Sequence, residues 1–337
     1  MTSHTVQANV VRHDREHIVT GLTPNDPDAG VSPTPQSRPG RLGVGVVGAG
    51  RVGAVLGSAL RAAGHAVVGV SAVSAASRER ADVLLRGVPV LAVPDVVERA
   101  ELVLLTVPDD VLPGLVEGLA EVGAWQPGQL VVHTSGRFGW RVLSPAVSAG
   151  AIPLALHPAM TFTGTSLDLA RLVDCCFGVT APNLVLPIAQ ALVVEMGAEP
   201  VVVAEEARPL YHAALAHGAN HLVTVVAQAL DLLRAAGVEP ADRVLAPLLS
   251  AALDNALRSG DGALTGPVSR GDAGTVAAHL RELAALATGT GSGGDASAAG
   301  TLATYRAVAR ATADRAVASG RLKAEDAAAL LSVLADQ

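Results

Sequence analysis

From Leu42 onward the apolar positions come in short unbroken runs separated by glycine, and past residue 204 they give way to stretches of helical period. Residues 41–72, RLGVGVVGAGRVGAVLGSALRAAGHAVVGVSA, start with an apolar run over Leu42–Val47 and break at a glycine turn. They continue as a helix over roughly Arg51–Ala63, break at Gly64 and return to an apolar run over His65–Val70. An unbroken apolar run of five or six residues between turn residues reads as a strand buried on both faces, so the segment predicts a parallel β-α-β unit. ELVLLTVPDDVL (101–112), QLVVHTSG (129–136) and AIPLALHPAMTF (151–162) repeat the strand pattern, and CCFGVTAP (175–182) and AEPVVV (198–203) add two shorter strands.

The second half carries a different period. Residues 205–237 contain no proline beyond Pro209 and predict one long helix ending at Gly237. Residues 240–258, 301–319 and 323–334 predict further helices. Residues 1–40 hold Pro24, Pro27, Pro33, Pro35 and Pro39 with scattered charges and no long apolar run, which predicts a disordered tail instead of a signal peptide or membrane anchor.

Within the first unit, Gly48, Gly50 and Gly53 form G-x-G-x-x-G between strand and helix. Gly48 permits the tight turn, Gly50 lets backbone approach a pyrophosphate, and Gly53 lets the helix pack on the strand, with Arg51 and Val52 opening the helix whose N-terminus faces the phosphates. The fold class expected is therefore α/β: a Rossmann-type parallel sheet domain over 41–180, the rest of the sheet and a connection over 181–204, and an all-helical C-terminal domain over 205–337. At the end of the second strand an NAD site carries Asp or Glu, whereas this chain has Ser71, followed by Ser74, Arg78 and Arg80. Hydroxyls and guanidinium groups accept a 2′-phosphate that an acid would repel, so the expected cofactor is NADP. Ligands of such sheets lie beyond the carboxyl ends of the strands, which selects Val107, Pro108, Asp109, Thr134 and Ser135 for the cofactor, Gly136 for the substrate and His157 for catalysis. Asp109 and Asp110 have helix capping as the competing role.

Composition narrows the chemistry. Half of the residues are apolar but only 2% are aromatic, and the net charge of −7 with no Lys/Arg cluster argues against a nucleic-acid surface. The two cysteines, Cys175 and Cys176, are adjacent, which suits neither a structural disulfide nor a metal site, and points to a reducing, cytoplasmic setting. No apolar stretch is long enough to predict a membrane span.

The motifs GVVGAGRVG, TVPDD, VVHTSG, LHPAMTF, YHAALAHGANHLV and ALTGPVSRGDAGTVAAHL, spread over residues 42–320, resemble the 6-phosphogluconate-dehydrogenase-like superfamily, which includes ketopantoate reductase and pyrroline-5-carboxylate reductase. More closely, they resemble a bacterial family that joins a Rossmann-like domain to a helical C-terminal domain of unknown function. The resemblance implies a lysine on the long helix followed by an asparagine. Here the only lysine is Lys323, and His212, eight residues before Asn220, takes the comparable position. In a regular α-helix the two stand about 80° apart around the axis and about 12 Å along it. An imidazolium donates a proton near neutral pH and an asparagine amide holds a substrate oxygen, so His212, Asn220 and His157 are the catalytic candidates.

His217 and His221, spaced i and i+4, supply two metal ligands where zinc needs three that converge, so no metal is expected and they read as a solvent or subunit face. The resemblance further implies that the glycine-rich loop 263–275 lines the substrate site. Thr265, Ser269 and Arg270 are its candidates for a carboxylate, against a plain loop in which Asp272 caps the next helix. The expected activity is NADPH-dependent reduction of a small 2-oxo acid, with 2-dehydropantoate the substrate the resemblance points to. An imine reductase of the pyrroline-5-carboxylate type and a non-catalytic NADPH sensor stand as alternatives, and related reductases that use a deazaflavin keep that cofactor open. A long apolar helix in a helical domain predicts a homodimer.

Overall fold

A computed structural model describes residues 41–289 and 296–335, so the tail expected over 1–40 lies outside the described residues. Strands β1 (Gly43–Val47), β2 (Ala66–Ser71), β3 (Leu102–Leu105), β4 (Leu130–His133), β5 (Ile152–Pro158), β6 (Cys176–Thr180) and β7 (Glu199–Val202) form one sheet in the order β2-β1-β3-β4-β5-β6-β7. Helices α1 (Arg51–Ala62), α2 (Ala75–Leu84), α3 (Val93–Arg99), α4 (Leu112–Glu121), α5 (Ser144–Ser148), α6 (Leu167–Arg171) and α7 (Leu186–Glu195) connect the strands. Strand β1 lies between β2 and β3, so the connections leave it in opposite directions and open a crevice at its carboxyl end.

The unbroken apolar runs have their cause in two covered faces. Leu102 and Leu104 of β3 and Val132 of β4 enter one core with Leu56, Phe177 and Leu192, whereas Val103, Leu105 and Val131 enter a second with Val96, Val116 and Trp125. The sheet is the expected Rossmann-type one, with every pairing parallel except β5 with β6. The connection over 159–175 contains only the short α6 and a 3₁₀ turn, and it stays at the carboxyl end of β5 instead of crossing the sheet, so β6 returns antiparallel. Strand β3 also stops at Leu105, ahead of the expected end at Val107-Pro108-Asp109.

The rest is helical: α8 (Arg208–Leu215), a π-helical segment (Ala216–Asn220), α9 (His221–Ala235), α10 (Ala241–Ser259), α11 (Gly266–Ser269), α12 (Ala273–Thr288), α13 (Ala296–Ala318) and α14 (Ala324–Leu334). The first three make one continuous rod that ends at Gly237 with φ of 75°, a left-handed position that glycine takes without strain. A third apolar core gathers Val276, Leu280, Ala313, Leu330 and Leu334 from α12, α13 and α14. The rod does not share in it as its sequence suggests: α9 buries no residue, and Leu222 and Val223 are exposed alongside His217 and His221.

Candidate functional site

The glycine turn is held from three sides. Gly48 adopts φ of 98°; its N–H donates to Ser71 Oγ at 3.0 Å, and its carbonyl accepts from Thr106 Oγ1 at 2.5 Å. A Cβ on Gly53 would collide with the Gly48 carbonyl and with Thr106 Oγ1, whereas a Cβ on Gly50 would meet nothing within 4 Å. The backbone at Gly50 therefore faces open space at the N-terminus of α1, whose first turn carries no acid and whose cap makes no side-chain bond. That cradle fits the pyrophosphate of a dinucleotide.

The adenosine end is rearranged relative to expectation. Ser71 is buried and its hydroxyl props the glycine turn, and Ser74 caps α2 by accepting from the Ser77 N–H at 3.1 Å. The cations here are Arg78, exposed, with its Nε reaching the Ala72 carbonyl at 3.4 Å, and Arg51 and the half-buried Arg80, whose side chains both pack against Gly164. Beyond β3, Val107 and Asp109 are half-buried and Pro108 exposed; α4 is capped by Val111 without a side-chain bond, so neither Asp109 nor Asp110 caps it.

Beyond β4, Thr134 donates its N–H to the Leu105 carbonyl. Ser135 is a strut: its Oγ accepts the N–H groups of Arg137 and Phe138 at 3.2 and 3.1 Å, and its own N–H donates to His133 Nδ1 at 3.2 Å. Gly136 forms the floor on which two imidazoles stand, since a Cβ there would lie 2.7 Å from His212 Cδ2 and 2.8 Å from His157 Nε2. His157, from the end of β5, and His212, from α8, have ring centroids 6.0 Å apart. With Met160, Thr161, Leu215 and Asn220 they line a cavity of about 260 Å³. The π-helical segment explains why His212 and Asn220 share it. One extra residue in the turn makes their spacing behave like i, i+7, so they fall within about 20° of one another instead of the 80° of a regular helix.

Three residues of the entry to the rod, spaced i, i+3 and i+6, tie it to the sheet. The Glu205 carboxylate accepts the N–H groups of Trp140 at 2.9 Å and Arg141 at 3.2 Å. The fully buried Arg208 donates to the carbonyls of Ser135, Ala155 and Gly178 and, from Nε, to Thr180 Oγ1 at 2.7 Å. Tyr211 Oη bonds His157 Nδ1 at 2.9 Å. Burial pushes His157 down to about 4, assisted by the charges of Arg208 and His212, and burial likewise lowers His133 to about 4. His157 is thus neutral at pH 7, so any proton it gives comes from the neutral ring. None of Glu205, Arg208, Tyr211 and Thr106 stood out in the sequence.

Other expected site residues lie elsewhere. Thr265 lines a separate, mainly apolar cavity of about 410 Å³ with Leu232, His279 and Tyr305. Ser269 is buried and donates to the Gly266 carbonyl, Arg270 is exposed, and Asp272 caps α12 by accepting the Thr275 N–H at 3.0 Å. His217 and His221 bond each other through Nδ1 at 3.2 Å on the exposed face of the rod. Among the described residues no three or more His, Cys, Asp or Glu side chains form a group able to hold a metal ion.

Two family profiles divide the chain between them. One, described as a Rossmann-like domain, matches residues 25–158, and the other, the domain of unknown function DUF2520, matches residues 175–312. The chain carries a Rossmann-like domain followed by a DUF2520 domain. Solved structures share the fold of the Rossmann–DUF2520 chain at low identity. A Bacteroides fragilis protein designated an NADP oxidoreductase is 21% identical over 81% of this chain and 98% of its own, with a TM-score of 0.66. A Thermotoga maritima protein is 20% identical over 82% and 99%, with a TM-score of 0.58. An imine reductase variant of Myxococcus stipitatus, solved with NAD+, is 18% identical over 84% and 100%, with a TM-score of 0.54. No curated protein matches the Rossmann–DUF2520 chain.

Proposed function

We propose that the protein is an NADPH-dependent oxidoreductase that reduces the C=N bond of a small substrate. The observation that carries this reading is the His157–His212–Asn220 cavity at the carboxyl edge of the sheet that holds the open glycine cradle. Its walls offer hydrogen-bonding groups but neither Arg nor Lys. Such a cavity suits a neutral or cationic imine, and His157, held uncharged, does not repel one. The guanidinium groups of Arg51, Arg78 and Arg80, with no acid at the end of β2, favour the 2′-phosphate of NADP. Bound there, the cofactor supplies hydride; the chain's part is to hold and orient the substrate and to manage the proton. The imine reductase and the NADP oxidoreductase among the structures of similar fold agree with this reading.

The second reading, 2-oxo acid reduction with 2-dehydropantoate as substrate, needs a cation for the carboxylate. Arg270, with Thr265 and Ser269, is the candidate anchor, and none of the three lines the cavity within one chain. A second copy would have to bring that loop in. We infer a homodimer from the exposed apolar residues of α9 and α10, among them Val223, Leu248 and Leu257 at 68%, 67% and 80% exposure. Among the described residues no helix is long and apolar enough to cross a membrane, and the two free thiols suit a reducing, cytoplasmic setting.

The test follows NADPH absorbance with a panel of cyclic imines and with 2-dehydropantoate, for wild type, His212→Ala and Asn220→Ala, with Gly53→Val as a variant whose cradle is blocked. The expected result is imine turnover that both helix variants lose while retaining NADPH. Turnover of 2-dehydropantoate alone selects the second reading; tight NADPH binding without any turnover replaces both with a sensor.

A further inference from the structure

We propose that Tyr211 is the proton reservoir of the site, delivering its phenolic proton through His157 to the substrate, with Arg208 as the counter-charge of the phenolate left behind. This rests on the reductase reading and deepens it. The geometry is a line of three groups. Tyr211 Oη meets His157 Nδ1 at 2.9 Å on one side of the imidazole. The opposite ring nitrogen, Nε2, lies above Gly136, where the absence of a side chain leaves it open toward His212 and the cavity. His157 lines that cavity and Tyr211 does not, so Tyr211 reaches the substrate only through the ring.

The relay assigns the direction of the hydrogen bond: the Tyr211 hydroxyl donates to His157 Nδ1, and the neutral ring carries its proton on Nε2, facing the cavity. A neutral imidazole that gives up its Nε2 proton must gain one at Nδ1, and Tyr211 is the group placed to supply it. Burial pushes the Tyr211 phenol up, and Arg208 acts against it as the counter-charge of a phenolate: its guanidinium stands 5.7 Å from the Tyr211 ring centre, fully buried, with its hydrogen bonds made to three carbonyls and a hydroxyl. The nearby Glu205 carboxylate is occupied by the N–H groups of Trp140 and Arg141. His133 of β4, His212 of α8 and the thiols of Cys175 and Cys176 complete the titratable groups around the pair.

In the step itself, the carbon of the C=X bond, where X is nitrogen or oxygen, accepts hydride and the π pair moves to X. X bonds the proton of His157 Nε2, whose electron pair stays on the ring; Nδ1 takes the proton of Tyr211, whose pair stays on oxygen. Between turnovers water protonates His157 Nε2 from the cavity and Nδ1 returns its proton to the Tyr211 oxygen, which restores both groups, and two electrons have passed from cofactor to substrate.

The first measurement needs neither cofactor nor substrate. Nitrogen-15 NMR of the intact protein, with the His157 signals assigned by their loss in His157→Asn, reads the tautomer. The expected state is Nε2-protonated in wild type and a mixture of tautomers in Tyr211→Phe. The second measurement is turnover in H2O/D2O mixtures: wild type shows two protons moving together, and Tyr211→Phe shows one, with kcat lower by about 10²- to 10⁴-fold and NADPH affinity unchanged. Wild-type His157 protonated at Nδ1, or an active wild type whose rate and isotope dependence survive Tyr211→Phe, overturns the relay and leaves the reductase reading standing. A wild type that binds NADPH and reduces no C=N or C=O substrate overturns the reading and the relay's role together.

Discussion

Lowering the pH should destabilise the sheet domain through His133 by an amount the structure sets. His133 is fully buried, accepts the Ser135 N–H at Nδ1 and donates from Nε2 to the Gly139 carbonyl at 2.9 Å, so it is locked as one neutral tautomer. In the folded chain it takes up a proton only near pH 4, whereas its ordinary value, reached on unfolding, is 6.5. The unfolded state therefore binds the proton first: stability is full above pH 6.5 and falls steadily as the pH drops toward 4. At pH 4.5, about 2 units below the unfolded value, the loss from this residue is about 2.5 kcal/mol, from about 1.4 kcal/mol per unit less a small correction for folded protein already protonated. Urea titration read by Trp125 and Trp140, both in the sheet half, measures it, and with an m-value of about 3 kcal/mol/M the midpoint falls by about 0.8 M. Carboxylates and His157 titrate in the same window, so the comparison is with His133→Gln, whose amide keeps a donor for Gly139 and does not titrate. Wild type should lose about 2.5 kcal/mol more than this variant between pH 7 and 4.5. Equal losses in the two would refute the claim that His133 stays neutral in the fold.

Gly136→Ala places a methyl group against both site imidazoles. It should cost about 1–3 kcal/mol in thermal unfolding and lower turnover at least tenfold with the NADPH dissociation constant unchanged; undiminished turnover would show that the two rings need not sit over this floor. Size-exclusion chromatography with light scattering should return twice the chain mass, and Leu248→Asp with Leu257→Asp should return a single chain. A wild-type monomer would remove the second copy as a source of Arg270.

The strand–turn–helix–strand opening was legible because each part leaves a local mark: apolar runs for strands covered on both faces, and glycines where Gly48 turns and Gly53 meets Thr106 Oγ1. The direction of β6 left none, since it depends on where the 159–175 connection travels and not on the residues of the strand. Arg208 was invisible for a similar reason. Its acceptors are mainly backbone carbonyls, which no residue type announces, and the available signal was the i, i+3, i+6 spacing of Glu205, Arg208 and Tyr211. His212 and Asn220 were expected to border one groove and both line the cavity beside His157, but regular-helix arithmetic separated them by an angle that the π-helical segment removes. The long apolar helix was read as the seat of a homodimer, and among the described residues α9 buries none of its own.

The rod that begins at Arg208 is fixed to the sheet at one end. The described hydrogen bonds and ion pairs from the helical half back to the sheet half come from Glu205, Glu206, Arg208 and Tyr211, all within its first turns or just before them. From there it continues to Ala235, roughly 40 Å away at about 1.5 Å per residue. Mechanically this is a lever with its fulcrum beside His157. A tilt of about 5° at the fulcrum sweeps the far end through about 3 Å over that length, so a force applied near Ala235 reaches the histidine pair reduced in travel and multiplied in strength.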